Sequence, residues 1–527
     1  MRQTILIAAM ALLVTGGGAA SAQTVKTDLG LVEGQVIADG KVHAWLGIPF
    51  AAPPTGARRW QPPQPAEPWT GVRKADAFGP RCLQNPVFSD MIFRDRQDED
   101  CLYLNVWAPA DAAGKKLPVM FWIHGGGFQA GSASEPRQDG TKLAQKGVVV
   151  VSANHRLGVF GFFAHPRLTA ESETKTSGNY GLLDMIAALQ WVRRNIAAFG
   201  GDPDAVTIFG ESAGSFAVSA LMAAPPARGL FHRAIGESGA YFQLPGGPLG
   251  LKPLADAEAD GVAFAKEAGA DSLAALRAMP GEALLQTAAR RWFSPIVDGH
   301  VLPDTVEAIY AAGKQAQVPL LAGWNADESR AAIVFAKEPV TAETFTAQAR
   351  ARFGDRAADL LKVYPASNDA EALESAAALA GDLFIGYSTW KWIEVHRATG
   401  NAPVYRYAFD RKIPVPPDLT INGKPATADD IGARHAGEIE YVFGQLDSVP
   451  KVTWTDADRR LSDQMMTYWS NFAKTGDPNG SGLPQWPAYD SSAPSVLHLD
   501  VEVAAKPDTH RPRYLFLDST RNSAASQ

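Results

Sequence analysis

The stretch Phe209-Gly210-Glu211-Ser212-Ala213-Gly214 decides how this chain is read. It carries the pattern G-x-S-x-G, directly after the β-type run Ala205 to Phe209 and directly before the helical run Ser215 to Met222. A serine between a strand and a helix sits on a sharp turn that lifts its hydroxyl out of the sheet, and the small neighbours Gly210 and Gly214 let the backbone turn there. The amide of Ala213 then falls in the first turn of a helix, where unpaired N–H groups favour a developing negative charge. Five residues alone are a weak signal. The strand–turn–helix setting makes Ser212 a candidate nucleophile.

The surroundings extend this unit into a sheet. Leu102 to Trp107, Pro118 to Ile123 and Val148 to Ala153 are apolar runs of strand length, as expected for a mostly parallel, buried sheet. Asp184 to Ile196 has apolar residues at helical spacing and leads through Phe199-Gly200-Gly201-Asp202-Pro203 into the serine strand, a βαβ order. Val318 to Ala322 and Val404 to Phe409 read as later strands, and Asp463 to Thr475 as a last helix ended by Gly476-Asp477-Pro478. Thr24 to Phe50 alternates between Gly breaks, the pattern of short antiparallel strands. Ala-rich stretches at 254–288 and 341–382 predict helical insertions. The expected fold is α/β: a large, mostly parallel central sheet flanked by helices, with helical insertions and N-terminal antiparallel strands.

Length alone, 527 residues, would allow three domains, yet no low-complexity linker divides the chain, so residues 23–527 are expected to form one unit. A formal charge of −7 and no basic run argue against a nucleic-acid partner. Residues 1–22 read as a secretory signal: Arg2, the short apolar run Ile5 to Val14, then Ala20-Ser21-Ala22 before Gln23. No other stretch is long and apolar enough to span a bilayer. The expected location is secreted or periplasmic, a setting that permits a disulfide between the two cysteines, Cys82 and Cys101, as well as two buried thiols. No further metal-type ligands stand near them at zinc spacing, so no metal is expected.

A serine nucleophile needs a base, and the base needs a carboxylate to orient it. Of ten histidines, His435 stands out, in the Gly-flanked loop Gly432-Ala433-Arg434-His435-Ala436-Gly437-Glu438. For the acid, Gly323-Trp324-Asn325-Ala326-Asp327-Glu328 follows an apolar strand and lies between Ser212 and His435; its residues leave Asp327 and Glu328 both open. In Trp122-Ile123-His124-Gly125-Gly126-Gly127-Phe128, three glycines after a strand let backbone amides come close to a ligand. A phosphate loop is excluded there, because no helix opens after it and no G-K-S/T follows.

The sequence resembles the type-B carboxylesterases, the family that includes cholinesterases and bacterial para-nitrobenzyl esterases. The likeness runs from Gly47-Ile48-Pro49-Phe50-Ala51 to Trp486-Pro487-Ala488-Tyr489. Three segments carry it: Glu99-Asp100-Cys101-Leu102-Tyr103-Leu104-Asn105-Val106, the serine segment from Phe199 through Gly214, and His435 followed by Glu438-Ile439-Glu440-Tyr441-Val442-Phe443-Gly444. The resemblance implies an α/β-hydrolase fold with Ser212 as nucleophile, Glu328 as acid and His435 as base. It implies an oxyanion hole from the amides of Gly126, Gly127 and Ala213, a Cys82–Cys101 disulfide, and Ser238 as a hydrogen-bond partner of the triad carboxylate. Arg59 with Glu99 and Arg156 with Asp184 resemble structural salt bridges. Glu211, beside the nucleophile, is expected to shape the local field without joining the triad.

The expected activity is hydrolysis of small-molecule carboxylic esters through an acyl-enzyme, with no cofactor. The same fold acting on amide or lipid esters, and an inactive esterase-like binding protein, are the alternatives. The Cys82–Cys101 loop contains no Trp to hold a quaternary ammonium, so choline esters are poor candidates. Phe128, Phe216, Trp292 and Trp324 are candidate pocket walls that core packing would explain equally. Arg290 and Arg291 precede Trp292; Arg291 turned inward would pair with an acidic acyl group, whereas both turned outward would be solvated.

Overall fold

The computed structural model describes residues 23–88, 91–244, 247 and 250–524. The signal segment expected at 1–22 lies outside them. The core of the chain is an eleven-stranded sheet. In chain order its strands are β1 (Gln35–Ile37), β2 (Val42–Pro49), β3 (Tyr103–Pro109), β4 (Leu117–Ile123), β5 (Val149–Ala153), β6 (Gly201–Glu211), β7 (Arg233–Glu237), β8 (Leu320–Asn325), β9 (Val404–Phe409), β10 (Ser495–Leu499) and β11 (Ala504–Pro507). Across the sheet they run β11-β10-β9-β8-β7-β6-β4-β5-β3-β2-β1. Seven adjacent strands, from β10 to β5, are parallel. Antiparallel strands close both edges: β3, β2 and β1 on one side and β11 on the other. A separate small sheet joins Thr24–Lys26, Leu31–Glu33 and Val72–Lys74.

The parallel block is central because its strands are apolar on both faces. The Val-Val-Val-Ser-Ala of β5 is buried throughout, as is Val119 to Ile123 of β4. Helices cover each face. On one side lie α1 (Tyr180–Asn195) and α2 (Ala213–Ala223), with α3 (Asp369–Gly381) and α4 (Tyr387–Thr399) further along the sheet. On the other lies α5 (Asp456–Thr475), whose Leu461, Met465, Trp469 and Phe472 pack against Met120, Trp122, Phe209 and Tyr407. The C-terminal helix α6 (Arg511–Ala524) packs on α4.

The helix expected from Asp463 begins seven residues earlier, at Asp456. Thr455 and Asp458 form a reciprocal cap there, and the polar first turn hides the start from a hydrophobicity pattern. The Ala-rich stretches are indeed helical insertions, each broken into three helices: Leu254–Glu267, Leu273–Ala278 and Gly281–Ala288, then Ala342–Phe353, Ala357–Val363 and α3.

Two buried ion pairs tie the layers together. Arg156 Nε and Nη2 donate to Asp184 Oδ2 and Oδ1 of α1 at 2.8 and 2.7 Å. Arg59 Nε donates to Glu99 Oε1 at 2.7 Å, and its Nη1 to the carbonyls of Leu276, Arg277 and Met279. Cys82 and Cys101 form a disulfide.

Candidate active site

The serine turn is built by close approach. Ser212 has φ 53° and ψ −122°, a conformation non-glycine residues avoid. Its N–H donates to the carbonyl of Glu237 at 2.9 Å, which ties the turn to β7. Gly214 has no alternative at its position: a Cβ there would stand 2.0 Å from the carbonyl oxygen of Ile123 at the end of β4. The missing side chain lets α2 start directly over the sheet, with Ala213 as its first residue.

Parallel strands deliver their C-terminal ends to one edge, and the reactive groups meet there. Nδ1 of His435 donates to Glu328 Oε2 at 2.5 Å, and the Ser212 hydroxyl donates to Nε2 at 3.0 Å. Glu328 follows β8 and is itself held: Ser238 Oγ and the N–H of Asn325 donate to its Oε1 at 2.6 and 2.9 Å. Both residues are buried, and Ser212 is 9% exposed. Glu211 Oε1 lies 3.3 Å from Nε2 on the other side of the ring. Burial opposes a charge on His435, but the carboxylates of Glu211 and then Glu328 outweigh it and raise the imidazole well above its ordinary value.

The glycine loop closes over this group. Gly126 and Gly127 take φ of 105° and 61°, and a Cβ on Gly125 would lie 3.2 Å from that of Ser212. Behind the loop, His124 Nδ1 donates to the carbonyl of Gly125 at 2.9 Å, and its ring stacks on His155 with centroids 4.4 Å apart. Burial lowers both histidines and keeps them neutral.

The rejected acid candidate has a different position. Asp327 Oδ2 accepts from the N–H of Ala433 at 2.9 Å, so it fastens the loop that carries His435. Asp327 is half-buried rather than a solvated loop charge. Another support was not legible in sequence: between α3 and α4 the helix widens into a π-turn over Asp382–Gly386. This turn sets Phe384 edge-on to His435, ring centroids 5.1 Å apart, while Gly381 packs on Glu328.

The pocket walls differ from expectation. The pocket at Ser212 is lined by the apolar Phe88, Met91 and Ile439 and by the polar Glu135, Arg137, Gln138 and Glu211. Phe128 and Phe216 are fully buried and pack with Tyr241 beneath the site, so they are core. Trp324 lies against Arg406 and Tyr514 in a separate cavity behind Glu328. Arg291 is corrected too: its guanidinium pairs with the exposed Glu267 at 2.7 Å and is absent from the lining of the serine pocket. Trp292 does reach the site's rim, 46% exposed, where its ring covers Gly127.

Comparison with known proteins agrees with this architecture. Residues 21–516 match the model of the carboxylesterase family. The chain belongs to that family. It is 39% identical to the fumonisin B1 esterase of Sphingopyxis macrogoltabida, over 88% of this chain and 84% of that protein. It is 37% identical to the para-nitrobenzyl esterase of Bacillus subtilis strain 168, over 94% and 98%. A solved PNB esterase structure superposes with a TM-score of 0.79 at 36% identity, covering 94% of this chain and 99% of that one. This carboxylesterase is therefore a carboxylic ester hydrolase with an α/β-hydrolase fold, acting on small-molecule esters. Among the described residues no helix is long and apolar enough to cross a membrane.

Proposed function

We propose that this carboxylesterase works through Ser212, His435 and Glu328 as an exported protein, folding as one unit from residue 23. The observation that carries the reading is the pair of hydrogen bonds on His435, one from Ser212 and one to Glu328. His435 Nε2 takes the Ser212 proton as the oxygen attacks the ester carbonyl. The carbonyl oxygen becomes an oxyanion beside the amides of Gly126, Gly127 and Ala213. Collapse breaks the ester bond, and His435 returns the proton to the leaving alcohol. Water, activated in the same way, then cleaves the acyl-enzyme and releases the acid. Glu328 fixes the tautomer with the proton on Nδ1 and stabilises the imidazolium.

The pocket supports neutral esters as substrates. Phe88, Met91 and Ile439 offer apolar contact, and Trp292 adds an exposed indole at the rim. Arg291 is held by Glu267 away from the pocket, and the Arg137 guanidinium that does line it is paired with Glu135 at 2.7 Å, so neither is poised to neutralise an acidic acyl group. A chain-length series of nitrophenyl esters, with a polycarboxylic ester beside it, tests this. Turnover of the neutral esters is expected to exceed that of the polycarboxylic ester, and the opposite order would reject the assignment. Secretion is tested by N-terminal sequencing of the exported protein, which is expected to begin at Gln23.

A further inference from the structure

The register of the sheet places a second acid beneath the triad. Glu211 of β6 stands directly opposite Glu237 of β7, Glu237 opposite Gly323 of β8, and Gly323 opposite Tyr407 of β9. Residues in one such row share a face. Gly323 leaves a gap that the Tyr407 ring fills: a Cβ there would meet that ring at 2.4 Å. The ring is thereby laid across β8 toward Glu237. Glu237 is fully buried; its Oε1 accepts from the Trp469 indole of α5 at 2.7 Å, and its Oε2 has no hydrogen-bond partner. The Tyr407 hydroxyl, Asn325 Oδ1 and Glu211 Oε1 are also buried without one. Glu211 Oε1 does face His435 Nε2, but that nitrogen accepts from Ser212 and has no proton to give while the imidazole is neutral.

The chemistry of these four atoms depends on one proton. If Glu237 carries it, the row and Asn325, two residues further along β8, hold two O–H donors, Glu237 and Tyr407, and two acceptors, Glu211 and Asn325. If Glu237 is ionised, one donor faces three acceptors, and two carboxylates stand side by side in a dry interior. The other groups facing Glu237 do not relieve this. Glu438 and Glu328 add carboxyls, His435 lies beyond Glu211, the Arg137 guanidinium is on Glu211's far side, and α5 contributes the Trp469 indole N–H. Burial, then Glu438, pushes the Glu237 carboxyl well above its usual range.

We propose that Glu237 is a positioning residue that works as a neutral carboxylic acid opposite Glu211, so that the two together present a single negative charge to His435. This deepens the triad reading, since Glu211 is the carboxylate that faces His435 opposite Glu328. With the proton in place, the Glu211–Glu237 pair presents one negative charge to the imidazole. Moved onto His435 instead, the same proton would leave two carboxylates behind it and no base for Ser212.

The test is Glu237→Gln, which keeps a neutral donor in the same shape. In the pH profile of kcat/KM, the acid limb, which reports His435, is expected to stay in place, because a neutral amide replaces a neutral acid. An acid limb moved down, as if a charge had been removed, would overturn the proposal. Two readouts need no turnover and hold even if Ser212 is not the nucleophile. Infrared difference spectra of the two proteins at neutral pH are expected to show a protonated-carboxyl band lost in the variant; no lost band would overturn the proposal. Folded Glu237 keeps its proton where the unfolded chain has released it, so its stability contribution declines as pH rises above 4.5. The Tm of the Gln variant relative to the parent is therefore expected to rise between about pH 5 and about pH 9, and a constant difference would count against it.

Discussion

Two buried charge clusters in this molecule are built on opposite rules. At Arg156–Asp184 one cation meets one anion in a two-pronged pair, and the guanidinium's third nitrogen, Nη1, donates to the carbonyl of Gln61. Beneath Ser212, the carboxyls of Glu211, Glu237, Glu328 and Glu438 surround a single imidazole. The first cluster is neutral, satisfied and static, and it holds α1 against the sheet. The second carries more acid than base: burial pushes the carboxyls of Glu211, Glu237 and Glu438 up, and the imidazole lies between Glu211 and Glu328. On the reading proposed above, balanced charge serves stability and unbalanced charge serves reactivity.

The comparison breaks if the reactive cluster proves structural. Ser212→Ala is expected to lower kcat/KM by at least 10⁴-fold, on the order of the loss when a serine nucleophile is removed, while Tm stays within a few degrees. Glu328→Gln follows at roughly 10³ to 10⁴-fold, and Asp327→Asn at less than about tenfold, because the Asp327 carboxylate accepts one bond from the histidine loop while its own N–H donates a second that the variant keeps. Equal losses from both would show that the acid assignment is wrong. The balanced cluster should respond in the other currency: Asp184→Ala is expected to cost about 3 to 5 kcal/mol in urea unfolding and leave kcat of the folded fraction near the parent value. Reduction of Cys82–Cys101 should cost roughly 3 kcal/mol, read in the same way. The smallest change expected is Glu211→Gln, which removes the first of the two carboxylates raising His435 and so moves the acid limb of kcat/KM down by about one unit.

The sequence was informative where a function demands particular residue types close together in the chain. The serine turn needs glycines within two residues of Ser212, and the loop over it carries three in a row, so both stood out. Strands buried on two faces are apolar throughout and were found within a few residues of their observed ends. His435 was marked by its glycine-flanked loop. Choosing Glu328 over Asp327 required the family likeness, since both carboxylates end the same strand and only the fold shows which one reaches the ring. Features built from distant segments left no local trace. The row from Glu211 to Tyr407 exists only through sheet register. Phe384 meets His435 through a π-turn, and the wall formed by Phe88 and Met91 comes from the disulfide loop. Bulky side chains near the site in sequence misled for the same reason: Phe216 and Trp324 sit beside reactive residues in the chain, but their rings pack elsewhere, Phe216 into the core and Trp324 into a separate cavity.

The central claim is that Ser212 forms the covalent intermediate. Treating the purified protein with a fluorophosphonate ester and mapping the adduct by peptide mass spectrometry tests it directly. The account predicts one phosphonyl group, on the peptide containing Ser212, formed in step with loss of esterase activity and abolished in His435→Ala. An adduct on another residue, or full inactivation with Ser212 unmodified, would contradict it.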